Sequence, residues 1–250
     1  MATKFGIVRG PDGVRLDAHP DRVRTYCEES LRRLGVDVID LYYLHRVDPE
    51  VPVAETVGAM AALVSDGLVR QLGLSEVSPA EFEAARAVHP IAAVQMEWSL
   101  AWREPEDDIV PAARAGGAGL VAYSPLGRGL LTGALPAEPF GPGDFRAGDP
   151  RFAGETLAAN LALVDALRTK ASAYGVSTGQ LALAWLLAQG DDVVPIPGSR
   201  NPDRVVSNAA AADVVLSAGG LDELNAVAPR SAWRGDRRSF AAYNTSRSSG

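Results

Sequence analysis

The chain has one cysteine, Cys27, in 250 residues. A lone thiol forms no internal disulfide and lacks the partners of a structural zinc site, so Cys27 reads as a small buried filler and the compartment as reducing. Lysine is nearly as scarce: of 24 basic residues only Lys4 and Lys170 are lysine, the rest being arginine. Where a surface cation is habitually arginine, a retained lysine is a candidate for a role that needs a pKa its surroundings can move. Positive charge is in deficit overall, with 24 basic against 31 acidic side chains, a net charge of −7 and a pI of about 5.0. That sign excludes a protein that tracks nucleic acid or an anionic membrane, and any bound anion must be held locally. Long apolar runs are missing too. The longest, near residues 181–188, falls far short of the roughly 18 to 20 residues that span a bilayer. The opening Met1-Ala2-Thr3-Lys4 lacks the apolar stretch of a signal peptide. The expectation is a soluble, unexported, cytoplasmic protein. What the chain does have is apolar side chains, 47% of the total, enough for a sizeable core and too many for disorder.

Short apolar runs alternate with stretches whose apolar residues recur every three or four positions. Strands are expected at 2–8, 38–45, 69–75, 93–98, 120–124 and 193–197, nearly continuously apolar, as strands covered on both sides are. Helices are expected at 21–34, 53–65, 79–88, 106–115, 155–174, 178–189, 202–212 and 221–228. The first aligns Val23, Cys27, Leu31 and Leu34 and stops at Gly35; the second aligns Val53, Val57, Met60 and Val64. This spacing suits consecutive right-handed βαβ units in one domain over residues 1–230. Residues 231–250, rich in Arg, Ser and Gly, read as a loose C-terminal tail. The Gly- and Pro-rich stretch 127–154 is too long for a plain connection and reads as a functional loop over a site. Six strands are too few for a closed parallel barrel, so either the sheet is open or strands are missing.

In parallel barrels functional groups sit at the carboxyl ends of strands. Lys4 and His45 qualify, and His45 shares a strand face with Leu41 and Tyr43. Each has a plainer alternative: a packed structural histidine and an exposed N-terminal cation. Ser75, Gln95 and the pair Tyr123-Ser124 close or nearly close three further strands. Polar or aromatic residues at that end of six strands argue for a ligand site. In the turn Gly198-Ser199-Arg200-Asn201-Pro202, Asn201 suits a helix N-cap and Pro202 the first helical position, so backbone N–H groups emerge beside Arg200 and Arg204. That is a ready phosphate site; solvated arginines, or arginines paired with local carboxylates, are the competing reading.

These segments together resemble one family. They are Ala2-Thr3-Lys4-Phe5-Gly6, Ser30-Leu31-Arg32-Arg33-Leu34 leading to Ile39-Asp40-Leu41-Tyr42-Tyr43-Leu44-His45, Gly73-Leu74-Ser75, Val94-Gln95, Tyr123-Ser124-Pro125-Leu126-Gly127-Arg128-Gly129-Leu130-Leu131-Thr132-Gly133, Pro150-Arg151-Phe152 and Ile196-Pro197-Gly198-Ser199-Arg200 with Arg204 and Asn208. In this order the chain resembles the aldo-keto reductases, NADPH-dependent enzymes that reduce an aldehyde or ketone to an alcohol. The resemblance implies an α/β fold of the (β/α)8 TIM-barrel type with about six of eight βα units present, the first two missing. It implies Lys4 and His45 as two of four catalytic residues, Ser75 and Gln95 on the nicotinamide carboxamide, and Tyr123 stacked on the nicotinamide ring. Ser124 lies beside that tyrosine. Leu126, Gly127 and Arg128 belong to the segment along the pyrophosphate, and Gly198, Ser199, Arg200, Arg204 and Asn208 to the pocket of the 2′-phosphate. Trp98 and Trp102 are either walls of the carbonyl pocket or packing residues.

Two departures from the family pattern stand out. Glu76 replaces the usual asparagine after the serine. The family's catalytic aspartate and tyrosine lie in the first two βα units, ahead of the motif on which this sequence opens. One expectation is therefore a reductase with two units encoded upstream. The alternative is an NADPH-binding or regulatory protein that lacks the proton donor, and a third is a fragment that does not fold alone. No metal, nucleic-acid or membrane partner is implied, and no local signal sets an oligomeric state.

Overall fold

A computed structural model describes residues 1–11, 13–135, 140–141 and 143–237. They fall into two compact units, Met1–Met96 with Glu106–Leu120, and Glu97–Pro105 with the chain from Val121 onward. Strands and helices alternate along the chain as the apolar pattern requires. The fold is α/β, of the family's (β/α)8 type in partial form, with six strands in the βα alternation.

In the first unit β1 (Ala2–Phe5) is followed by a small antiparallel hairpin, β2 (Ile7–Gly10) and β3 (Gly13–Leu16). Then come α1 (Pro20–Leu34), β4 (Ile39–Leu44), α2 (Val53–Ser65), β5 (Val69–Ser75), α3 (Pro79–Arg86), β6 (Ile91–Glu97) and α4 (Ile109–Ala115). Strands β1, β4, β5 and β6 are consecutive parallel neighbours. Lys4 is opposite Tyr43, Tyr43 opposite Gly73, and Ser75 opposite Gln95. Helix α1 starts on a proline, whose missing N–H costs nothing there, and ends at Gly35 with φ +67°, its N–H returning to the Leu31 carbonyl. It buries Val23, Cys27, Ser30 and Leu31, whereas Leu34 is exposed at the helix end. Helix α2 keeps its expected bounds and buries Val53, Val57 and Met60. Helix α3 is started by a capping box, Ser78 with Glu81.

The second unit holds the end of β7 (Gly119–Tyr123), then α5 (Gly154–Ala173), α6 (Thr178–Leu187), β8 (Val193–Pro195), α7 (Pro202–Ala209) and α8 (Ala218–Val227). The Ile196 N–H just past β8 donates to the Ala122 carbonyl at 3.0 Å. Helix α6 carries the longest apolar run and is buried on every side from Leu181 to Leu186, as a helix without a polar face must be. Its Trp185 meets Trp98 edge to face at 6.5 Å. Among the described residues no helix is long and apolar enough to cross a membrane.

Among the expectations that change, three bear most on the fold. The strand expected over 2–8 ends at Phe5, because Gly6 turns the chain at φ +101° and Ile7 opens the hairpin instead. The loop expected over 127–154 contains three 3₁₀ turns, Gly127–Thr132, Phe145–Gly148 and Pro150–Phe152; 136–139 and 142 lie outside the described residues. Of the tail expected over 231–250, residues 238–250 also lie outside them. Residues 231–237 are described, and there Asn160, 1% exposed, accepts from the Arg234 N–H at 2.9 Å and donates to the Arg234 carbonyl at 3.0 Å.

Gly73 is the sharpest steric constraint of the first unit. The Tyr43 ring lies across it, so a Cβ at position 73 falls 2.4 Å from Tyr43 Cε1, far inside van der Waals contact. Gly73→Ala is expected to destabilise the chain by about 1–3 kcal/mol, the cost of overpacking a tight core, read as a lowered urea midpoint at unchanged slope.

Candidate active site

Four residues expected at strand ends are carried by the parallel ladder of the first unit. Lys4 lies on β1, half-buried, with Nζ 5.9 Å from the centroid of the Tyr43 ring. Burial lowers the Lys4 pKa, and the Arg46 charge lowers it further. His45 follows β4, and its backbone N–H donates to the Phe5 carbonyl at 2.9 Å. Its imidazole is pushed down to about 4, first by burial and then by the like charges of Arg46, Lys4 and Arg9. Like charge reaching the ring from Lys4 means the two side chains share one electrostatic environment. A neutral imidazole and a half-desolvated ammonium can each donate a hydrogen bond to an oxygen ligand.

Ser75 ends β5 at 1% exposure, and Gln95 lies opposite it on β6, also buried. Arg46 Nη1 donates to Ser75 Oγ at 3.2 Å and to the His45 carbonyl at 2.7 Å. Glu76, at the position of the family's asparagine, has a left-handed φ of 55°. Ser124 and Arg128 share that region at 49° and 58°. Non-glycine residues held there store strain that the surroundings must over-determine, a pattern that clusters at functional sites.

The second unit contains the residues expected on the phosphates. Leu126, Gly198, Ser199, Arg204 and Asn208 line one cavity of about 450 Å³, together with Arg146. Among the described residues no carboxylate lines it; Arg146 is already paired with Asp144 at 2.7 Å, so the cavity's principal donors are the Arg204 guanidinium, hydroxyls and an amide. Asn201 caps α7 by accepting from the Asp203 and Arg204 N–H groups at 2.9 and 3.2 Å. Tyr123 closes β7, half-buried. Gly127 is buried in the following turn, while Arg200 is exposed and outside the cavity lining. The Arg128 guanidinium turns to Glu97 at 3.1 Å. Such a donor set fits a phosphorylated ligand, because a charge-assisted bond from arginine suits phosphate oxygens.

Sequence reading passed over several residues that matter here. Glu97, 1% exposed, receives Arg128 and Arg151, the latter at 2.7 Å, and Arg151 also bonds Asp149 at 2.6 Å. Arg151 and Arg237 lie over the Trp102 ring at 5.8 and 5.6 Å. Trp98 is a core residue, whereas Trp102 lines a smaller cavity of about 180 Å³ with Arg103 and Trp233. Arg46 follows and Glu97 ends an apolar run, but nothing in their local sequence distinguishes a buried ion from a solvated one. Among the described residues no group of three or more His, Cys, Asp or Glu could hold a metal ion.

Comparison with known proteins decides the lineage. The Aldo/keto reductase family model matches residues 1–229. The chain belongs to the aldo/keto reductase family. A probable aldo-keto reductase 1 from Glycine max is 45% identical over 230 residues, covering 92% of this chain and 66% of its own length. The chain thus spans just under two thirds of that relative. A glycerol dehydrogenase from Gluconobacter oxydans superposes with a TM-score of 0.82 at 33% identity, over 92% of this chain and 72% of that one. A thermostable aldo-keto reductase solved with the inhibitor epalrestat gives 0.68 at 30% identity, over 84% and 67%.

Two outcomes test this geometry. Because the folded imidazole of His45 titrates near 4 against about 6.5 when unfolded, the unfolded chain binds a proton first as pH falls. Stability attributable to this site is therefore intact above about 6.5 and lost progressively down to about 4. His45→Gln is expected to shrink the fall in urea midpoint between pH 7 and 4.5. Removing the Glu97 carboxylate leaves buried guanidiniums short of a counter-charge, and Glu97→Ala is expected to cost about 3–5 kcal/mol in chemical denaturation.

Proposed function

We propose that this chain binds NADPH and carries the reductive chemistry of its family, conversion of an aldehyde or ketone to an alcohol. The observation that carries the reading is the cavity holding Arg204, Ser199 and Asn208, with no Asp or Glu among its described lining residues, the chemistry a 2′-phosphate needs and NADH does not use. NADPH, when bound, supplies the hydride. The chain's own residues do the rest. Ser199, Arg204 and Asn208 hold the 2′-phosphate, with Gly198 and Arg200 in the same turn. Leu126, Gly127 and Arg128 flank the pyrophosphate, and Ser124 supports Tyr123 against the nicotinamide. Ser75 and Gln95 receive the carboxamide. Lys4, its ammonium half-desolvated, and neutral His45 polarise the carbonyl and hold the oxygen that becomes the alcohol. A cytoplasmic setting accords with the single buried thiol of Cys27, which burial pushes up to about 11 and so keeps unreactive.

A second reading, NADPH binding without turnover, is favoured by one specific observation. Tyr43 is the tyrosine beside Lys4, yet burial pushes its hydroxyl up to about 12 despite a hydrogen bond with Gln95. A proton donor at neutral pH needs the opposite shift. Titration of the 250-residue chain with NADPH and NADH, followed by NADPH consumption with a panel of aldehydes and ketones, separates the two. NADPH bound in preference to NADH with carbonyl-dependent oxidation supports the reductase; binding without oxidation supports the second reading; equal affinity for both nucleotides removes the 2′-phosphate assignment. Arg204→Ala is expected to weaken NADPH by about 10- to 100-fold, one charge-assisted bond, and to leave NADH unchanged.

A further inference from the structure

Arg46 is a guanidinium with 6% exposure at the mouth of the parallel ladder, and one of its nitrogens holds two oxygens. Nη1 donates to the His45 carbonyl at 2.7 Å and to Ser75 Oγ at 3.2 Å. A serine hydroxyl has one proton to give and two lone pairs to offer. Since Arg46 carries only donors, Ser75 can only accept from it, and the Ser75 proton remains available. Among the described residues this hydroxyl makes no second hydrogen bond.

The neighbouring strand is arranged in the complementary sense. Gln95 is in register with Ser75. Tyr43, opposite Gly73 in the ladder, lies flat across that glycine, where any side chain would collide with its ring, and so extends over β5 toward β6. Gln95 and the Tyr43 hydroxyl are hydrogen-bond partners. An amide side chain has both an acceptor oxygen and a donor NH2, so beside that bond Gln95 can still offer its oxygen to a ligand. A donor on Ser75 and an acceptor on Gln95, side by side on adjacent strands, match a primary carboxamide, which offers one carbonyl and one NH2.

We propose that Arg46 is a positioning residue: by occupying Ser75 Oγ as its donor, it commits the serine proton to a carboxamide oxygen and so fixes the polarity of a carboxamide receptor completed by Gln95. The proposal rests on the NADPH reading above, the carboxamide being that of nicotinamide. It explains why a costly buried cation stands where it also lowers the pKa of His45 and Lys4. A neutral partner at position 46 would leave the serine hydroxyl free to turn and accept, a polarity that repels a carbonyl oxygen.

Calorimetric titration with two probes tests it: whole NADPH, and adenosine 2′,5′-bisphosphate, which carries the phosphate half alone. Arg46→Met and Ser75→Ala are each expected to weaken NADPH about tenfold, one hydrogen bond, with bisphosphate affinity unchanged. The double variant is expected to be no weaker than Ser75→Ala, because Arg46 acts through the serine. Arg46→Lys keeps a buried cation for folding and is expected to weaken NADPH about threefold, the ammonium reproducing the fork poorly. With the 3-acetylpyridine analogue of the cofactor, which keeps the carbonyl and lacks the NH2, the Ser75→Ala penalty persists and that of Gln95→Leu disappears. Equal loss for NADPH and the bisphosphate, additive losses in the double variant, or unchanged NADPH affinity in both Arg46 variants overturns the proposal. A wild-type chain that binds neither probe overturns the nucleotide reading and the proposal with it. One that binds the bisphosphate while the Arg46 variants keep full NADPH affinity overturns the proposal alone.

Discussion

A buried positive charge at the end of β4 is the constraint around which the first unit is arranged. A guanidinium is a fixed positive charge, so each group near Arg46 must adapt. His45 stays neutral far into acid, Lys4 holds its proton less firmly, and Ser75 offers its oxygen rather than its hydrogen. The cost is desolvation of a guanidinium, which a fold tolerates only with good hydrogen-bond geometry. The 2.7 Å bond to the carbonyl of the adjacent residue supplies part of that geometry from the backbone, which no side-chain change elsewhere can remove.

The second unit solves a different problem, the holding of irregular chain. The turn after β7 passes through left-handed conformations at Arg128 and Gly129, and the segment Asp149 to Phe152 is a single 3₁₀ turn with its N-cap. Neither has a long helix or ladder to satisfy it. Glu97 gathers Arg128 and Arg151 from the two segments, and Asp149 takes the remaining edge of Arg151. An ionic cluster thus substitutes for secondary structure. The cavity lined by Arg146, Ser199 and Arg204 lies within the same unit, so its walls inherit whatever rigidity the cluster provides.

Much of the fold was legible in the sequence because its strands are covered on both sides and its helices on one, which gives each a distinct apolar period. Helix α2 and strand β5 carry the expected bounds, and Gly35 and Asn201 do at the helix ends what their chemistry suggests. The hairpin after Phe5 was hidden because Ile7 and Val8 continue the apolar run, and only the φ of Gly6 separates them from it. Leu34 was expected inside because periodicity does not register where a helix leaves its neighbours. At the site, strand-end residues such as Lys4, His45 and Ser75 were found because position and polarity coincide there. Arg46, Glu97 and Arg151 were not, because burial of an ion is decided by tertiary partners 29 to 54 residues away, and a lone charged letter carries no trace of them.

Asn160 offers a last consequence. Its amide is spent on main-chain groups: the carbonyls of residues 151 and 234 and the N–H of 234. Recognition of this kind is blind to side-chain identity, so evolution is free to vary the residue at 234 without loosening the stretch it belongs to. The next position has no such freedom, since a methyl group at Gly235 would come within 2.7 Å of the Arg151 backbone. Tolerance and intolerance to drift therefore stand one peptide apart, and an alignment of relatives ought to show a variable column directly beside an invariant one.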